Sequence, residues 1–115
     1  MQVQFAFKHM KSSQALRSYT EDKLLPIISR YVTKPVETRV TFSVDKQRYS
    51  ASCVLRGGDG FSVQVEHVGD EMYRAVDCML DKFKTQLKRV KEKLKDHRPQ
   101  VEYIEIEEES EQDQE

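Results

Sequence analysis

Apolar and polar residues alternate with a period of two in four stretches of this chain and recur every three or four residues in two others. The first stretch, residues 2–8, sets Val3, Phe5 and Phe7 against Gln2, Gln4, Ala6 and Lys8, the pattern of a half-buried strand. Lys11-Ser12-Ser13 offers an N-cap, and a helix is predicted to about Tyr31, with Leu16, Thr20, Leu24, Ile27 and Tyr31 in one wide arc. Pro26 falls inside that arc, where its missing N–H is expected to kink or distort the last turn and a half.

After Lys34-Pro35, the residues Val36, Thr38, Val40, Phe42 and Val44 alternate with Glu37, Arg39, Thr41, Ser43 and Asp45. Lys46-Gln47 turns the chain into a third strand with Tyr49, Ala51, Cys53 and Leu55 inward. Gly57-Gly58-Asp59-Gly60 predicts a hairpin, and a fourth strand follows with Phe61, Val63, Val65 and His67 inward. Asp70 or Gly69 is expected to cap the last helix, with Glu71 in its first turn. Met72, Val76, Met79, Phe83, Leu87, Val90 and Leu94 form a sustained apolar stripe along it. A helix from 70 to 95 is about 39 Å long at the usual rise, so its C-terminal turns are expected to project past the sheet, with His97-Arg98-Pro99 as the stop.

The order β-α-β-β-β-α, with one apolar face per strand, predicts an α+β two-layer sandwich. It consists of a four-stranded mixed sheet with both helices on one face. The first crossover makes strands one and two parallel if they are neighbours, and the others follow as an antiparallel meander. The expected division is a body, 1–98, and an acidic tail, 99–115, whose composition predicts disorder.

Charge sharpens that division. Residues 1–100 hold all 19 Lys and Arg against 12 Asp and Glu, a net of +7. Residues 101–115 hold 8 acidic residues and no basic one, so the overall charge of −1 describes neither part. A basic body with an acidic strip suggests a polyanion partner for the body and a modulating role for the tail. At 115 residues there is room for one domain, with no apolar run of membrane-spanning length and no signal peptide in MQVQFAFKHM. Cys53 and Cys78 have no metal-ligand or CxxC spacing and read as reduced thiols of a cytosolic protein.

The last helix carries the main signal: Lys82, Lys84, Lys88, Arg89, Lys91, Lys93, Lys95 and Arg98 face only Glu92 and Asp96. At 100° per residue, Lys82, Arg89 and Lys93 line one flank of the apolar stripe, and Lys84, Lys88, Lys91 and Lys95 line the other. A solvated face is the bland reading, but such faces usually mix signs to gain i,i+4 pairs. RNA or another polyanion is favoured. Lys23 and Arg30 on the first helix, near Tyr19, are weak alone. If the helices are neighbours, their cations border a common groove suited to a phosphate backbone. The open sheet face, with Gln2, Gln4, Arg39, Thr41, Ser50, Ser52 and Gln64, lacks the paired aromatics of a base-stacking sheet and reads as solvated.

Catalysis finds little support. Asp77 and Asp81 share a face of the last helix, and pairing with Arg74, one turn away, accounts for them. His67 is on an inward register, Cys53 reads as core, and Cys78 has no identifiable base. His9, His67 and His97 have no ligand spacing, and the glycine-rich turn joins two strands rather than opening a helix. No enzyme, cofactor, metal site or small-molecule substrate is expected. The tail begins Val101-Glu102-Tyr103-Ile104-Glu105-Ile106, which reads equally as a solubilising terminus or as an adhesive motif for a sheet edge or the basic groove.

Over residues 1–95 the chain resembles the ribosome hibernation factors, the family of hibernation-promoting factor and protein Y, also called ribosome-associated inhibitor A. The resemblance rests on Ser13-Gln14-Ala15-Leu16-Arg17 and Lys23-Leu24 in the first helix. Most specific is Asp70-Glu71-Met72-Tyr73-Arg74-Ala75-Val76-Asp77, followed by Asp81-Lys82-Phe83 and Gln86-Leu87. It implies a non-enzymatic, cytoplasmic protein, a monomer off the ribosome, that binds the small ribosomal subunit in its decoding channel. There it occludes messenger and transfer RNA in stress or stationary phase. Lys23, Lys82, Gln86, Arg89, Lys91 and Lys93 match positions that contact ribosomal RNA in that family, whereas Thr85 stands where Arg is common. The acidic tail looks like the protein Y-like subclass, which keeps ribosomes as inactive monomers, and the length leaves no room for the long class's dimerisation domain. The rival readings are a general double-stranded-RNA-binding domain and a protein-interaction module that uses the tail.

Overall fold

Strand pairing follows the alternation. The computed structural model describes residues 2–96, and its elements are β1 (Gln2–Lys8), α1 (Gln14–Tyr31), β2 (Val36–Asp45), β3 (Arg48–Gly57), β4 (Phe61–Gly69) and α2 (Met72–Asp96). The sheet order is β1-β2-β3-β4, with β1 parallel to β2 and both later pairs antiparallel. The fold is the expected α+β sandwich. The sequence's tail and the stop at His97-Arg98-Pro99 lie outside the described residues.

One face of the sheet is apolar and covered by both helices. Val40, Phe42, Ala51, Cys53, Leu55, Phe61, Val63 and Val65 are buried against Leu16, Leu24 and Ile28 of α1 and Met72, Val76, Met79, Phe83 and Leu87 of α2. Phe42 is the hub on the β1 side, with ring centroids 6.1 Å from Phe5 and 5.2 Å from Phe7. Aromatic rings in this range add to the area they bury. Burial also holds the Cys53 thiol un-ionised, pushing its pKa up to about 12.

Helix α1 starts as predicted: Ser13 Oγ accepts from the Leu16 N–H at 3.1 Å. It continues through Pro26 to Tyr31, where the Val32 N–H closes on the Ile28 carbonyl. Its buried row is Leu16, Thr20, Leu24 and Ile28, so Ile28 rather than Ile27 or Tyr31 completes the core, and those two pack at its margin. A strict four-residue stride drifts around the helix, which is how the buried row reaches Ile28.

The cap of α2 is neither Asp70 nor Gly69. Glu71 folds back so that its carboxylate accepts from the Tyr73 N–H at 2.9 Å and the Arg74 N–H at 3.1 Å, while its carbonyl accepts from Ala75 N–H. The longer side chain still reaches the helix's unpaired donors, and its charge suits the positive end of the dipole. At the other end α2 does not leave the sheet as expected. Leu94 rests on the β3–β4 hairpin, where a Cβ on Gly60 would stand 2.8 Å from Leu94 Cδ2. Residues 57–60 all have positive φ, and a Cβ on Gly58 would lie 2.9 Å from Val32 Cγ1, so this turn is pressed against the chain leaving α1.

Candidate nucleic-acid interface

The site follows from how the two helices meet. Each helix follows a strand of the same direction, so α1 and α2 run parallel across the sheet. Their junction is a polar and aromatic cluster near the N-terminal half of each. The Tyr19 hydroxyl donates to Asp77 Oδ1 at 2.7 Å, and Lys23 Nζ lies 3.8 Å from the same oxygen. Lys23 also sits 4.8 Å from the Tyr19 ring centroid, and Tyr19 meets Tyr73 edge to face at 4.9 Å. Asp77 therefore pairs across the helix junction, not with Arg74 on its own helix.

These contacts shift both titrating groups in the direction that keeps the cluster intact at neutral pH. The hydrogen bond to Asp77, then burial, raises the Tyr19 pKa above its ordinary value. The Lys23 pKa is also raised, first by its contact with the Tyr19 hydroxyl and then by the nearby negative charge. Tyr19 thus stays a neutral donor and Lys23 a cation.

Helical spacing carries the arrangement onward from Asp77. Residues 77, 81, 84, 88 and 91 recur at four, three, four and three, so Asp81, Lys84, Lys88 and Lys91 continue the flank that faces α1. On α1, Arg30 follows Lys23 by seven residues on the same side, and an equal advance along the parallel α2 brings it level with Lys84 and Lys88. The groove thus changes sign along its length. Tyr19, Lys23, Tyr73, Asp77 and Asp81 make one end; Arg30, Lys84, Lys88 and Lys91 make the other.

The second row lies elsewhere. Lys82 Nζ donates to the Glu66 carbonyl of β4 at 3.0 Å, which sets Lys82 on the flank opposite α1. Gln86, Arg89 and Lys93 follow it at four, seven and eleven residues and share that flank. The nine candidate residues therefore divide into a groove set (Lys23, Arg30, Lys84, Lys88, Lys91) and an outer set (Lys82, Gln86, Arg89, Lys93). Thr85 lies between the outer set and the crest of the helix, its hydroxyl donating back to the Asp81 carbonyl at 3.0 Å.

Across the sheet the open face mixes its charges. The register puts Gln4, Arg39, Val54 and Gln64 in one row and Ala6, Thr41, Ser52 and Glu66 in the next. Arg39 donates to Gln4 Oε1 at 3.3 Å. Among the described residues no cluster of three or more His, Cys, Asp or Glu is placed to hold a metal, and no helix is long and apolar enough to cross a membrane.

A basic helix face on a βαβββα sandwich is also where comparison with known proteins is most informative. The sequence pattern of the family described as "Sigma 54 modulation protein / S30EA ribosomal protein" matches residues 3–95. The chain belongs to this family. A relative named ribosome hibernation promoting factor, from Pseudomonas putida, is 35% identical over 95 residues, covering 81% of this chain and 89% of the relative. The protein of the same name from Escherichia coli K12 is 27% identical over 97 residues, 84% of this chain and the whole of the relative. Among solved structures, the N-terminal domain of Thermus thermophilus Protein Y superposes with a TM-score of 0.69 at 27% identity, covering 77% of this chain and 98% of that one. A ribosomal subunit interface protein from Coxiella burnetii gives a TM-score of 0.70 at 26% identity, covering 80% and 99%. The family's extent ends at residue 95, one residue short of the end of α2.

Proposed function

We propose that this S30EA-family chain is a ribosome hibernation factor. It binds the small ribosomal subunit in the cytoplasm through its helix face, occupies the decoding channel and excludes messenger and transfer RNA. It acts by occlusion and not by chemical turnover, and it is a monomer off the ribosome. The supporting observation is the concentration of single-sign charge on two flanks of α2, in a fold shared with relatives named for hibernation and the subunit interface. Phosphate contacts from Lys84, Lys88, Lys91 and Arg30 in the groove, and from Lys82, Arg89 and Lys93 outside it, supply affinity. The shape of the two-helix face supplies specificity. The acidic tail, 101–115, tunes this binding in the manner of the protein Y-like subclass.

Sedimentation of the full chain with purified small subunits tests the reading. Binding is expected to weaken with salt, each lost phosphate contact on single-stranded RNA flattening the log–log slope by roughly 0.7. Arbitrary duplex RNA competing at equal affinity would instead select a general double-stranded-RNA binder.

A further inference from the structure

The basic rows leave the chain's most distinctive motif without a task. In Asp70-Glu71-Met72-Tyr73, Glu71 caps α2 and Met72 is buried, but Tyr73 points out. Among the described residues the exposed large apolar side chains are Val68, Tyr73 and Leu94, and Tyr73, 39% accessible, is the aromatic one. It is also held in place. Tyr19 meets it edge to face at 4.9 Å, and Tyr19 is itself fixed by the hydrogen bond to Asp77 and by Lys23 against its ring. A ring braced on one side and accessible to solvent loses little freedom when a planar group settles on it.

The charge at this end of the groove selects that group. Asp77 and Asp81 stand against Lys23 there, so the local sign disfavours a phosphate, which the far end with Arg30, Lys84, Lys88 and Lys91 attracts. A nucleobase is uncharged and flat, and its exocyclic amines are donors that a carboxylate accepts. We propose that Tyr73, braced by Tyr19, is a stacking platform for one unpaired nucleobase of the RNA whose backbone lies along the basic end of the groove. This rests on the RNA-binding reading above and names a different contact within it: the base end rather than the phosphate end.

The chain contains no tryptophan, so Tyr73→Trp installs a single fluorescent reporter on the platform. Its emission is expected to quench when a mixed-sequence single-stranded oligoribonucleotide binds and to stay unchanged with inorganic polyphosphate, which offers charge without bases. Tyr73→Ala is expected to weaken small-subunit binding about tenfold or more with the salt slope unchanged, as loss of one base stack predicts. Tyr73→Phe keeps the ring and is expected to bind as the parent does. Circular dichroism of each variant checks the fold. Equal quenching by polyphosphate, or parental binding by Tyr73→Ala, overturns the platform. A comparison chain carrying Lys84→Glu, Lys88→Glu and Lys91→Glu separates the two readings. If that chain fails to bind while Tyr73→Ala binds normally, the platform alone falls; if both bind normally, the groove falls with it.

Discussion

The two faces of the sheet are both polar at their surface, yet they differ in how charge is arranged. On the open face the register interleaves Arg39 and Arg56 with Glu37, Glu66 and small hydroxyl residues, and Arg39 spends a donor on Gln4. On the helix face, Lys84, Lys88 and Lys91 repeat on one flank of α2, and Lys82, Arg89 and Lys93 on the other. Mixed signs cancel within a Debye length of about 8 Å at physiological salt, whereas repeated like charges sum into a field that a polyanion feels. The comparison teaches that the number of cations matters less than their arrangement, one sign repeated along each flank of a helix.

The largest expected effect breaks the comparison on its strong side. Lys84→Glu, Lys88→Glu and Lys91→Glu together should weaken small-subunit binding by at least about a hundredfold and flatten its salt dependence. Arg39→Glu with Arg56→Glu on the open face, two reversals of the same sign against three, should move binding by less than about threefold, read in the same sedimentation assay. Reversing Lys82, Arg89 and Lys93 then sharpens the account by asking whether the outer flank counts as much as the groove. Those three side chains are exposed, so the variant should melt within a few degrees of the parent and still lose binding.

Stability effects come next and should be blind to which face binds. Phe83 is fully buried beneath both cationic flanks, and Phe83→Ala should cost about 3–5 kcal/mol in a denaturant titration. Glu71→Ala removes the cap of α2 and should cost about 1 kcal/mol, with exchange of the Tyr73 and Arg74 amides accelerating.

The smallest effect is chemical. With its pKa pushed up to about 12, Cys53 should resist alkylation at pH 8 until the chain unfolds, as timed thiol counting would show. The same shift gives stability a sign. Below the usual thiol value Cys53 is protonated in both states. As pH climbs from about 9 toward 12 only the unfolded thiol ionises, so the folded state loses ground across that window.

Much of this arrangement was legible in the residues because strand and helix periods are local. Alternation located all four strands, and Ser13 marked the start of α1. The two cationic rows follow from spacing alone. What stayed hidden depended on partners distant in sequence. Tyr19 and Asp77 are 58 residues apart, so nothing near Asp77 reveals that its partner lies on α1 rather than at Arg74. Which row faces α1 depends on the side from which α1 packs. That is fixed by the sheet order and visible only through contacts such as Lys82 with the Glu66 carbonyl. Ile27 and Ile28 are adjacent and both apolar, and only the surface beneath them decides which enters the core. Glutamate is an uncommon cap, so the residues alone point to Asp70 or Gly69, although the longer Glu71 side chain reaches the Tyr73 and Arg74 amides.

The central claim is that the helix face, and not the sheet face, engages the ribosome. Salt-titrated sedimentation of small subunits with the parent chain, the Lys84/Lys88/Lys91 charge-reversed chain and the Arg39/Arg56 charge-reversed chain tests it most directly. The account predicts that the parent and the sheet-face variant co-sediment along the same salt curve, while the groove variant stays in the supernatant. Co-sedimentation of the groove variant at parental salt dependence, or loss of binding only in the sheet-face variant, would contradict it.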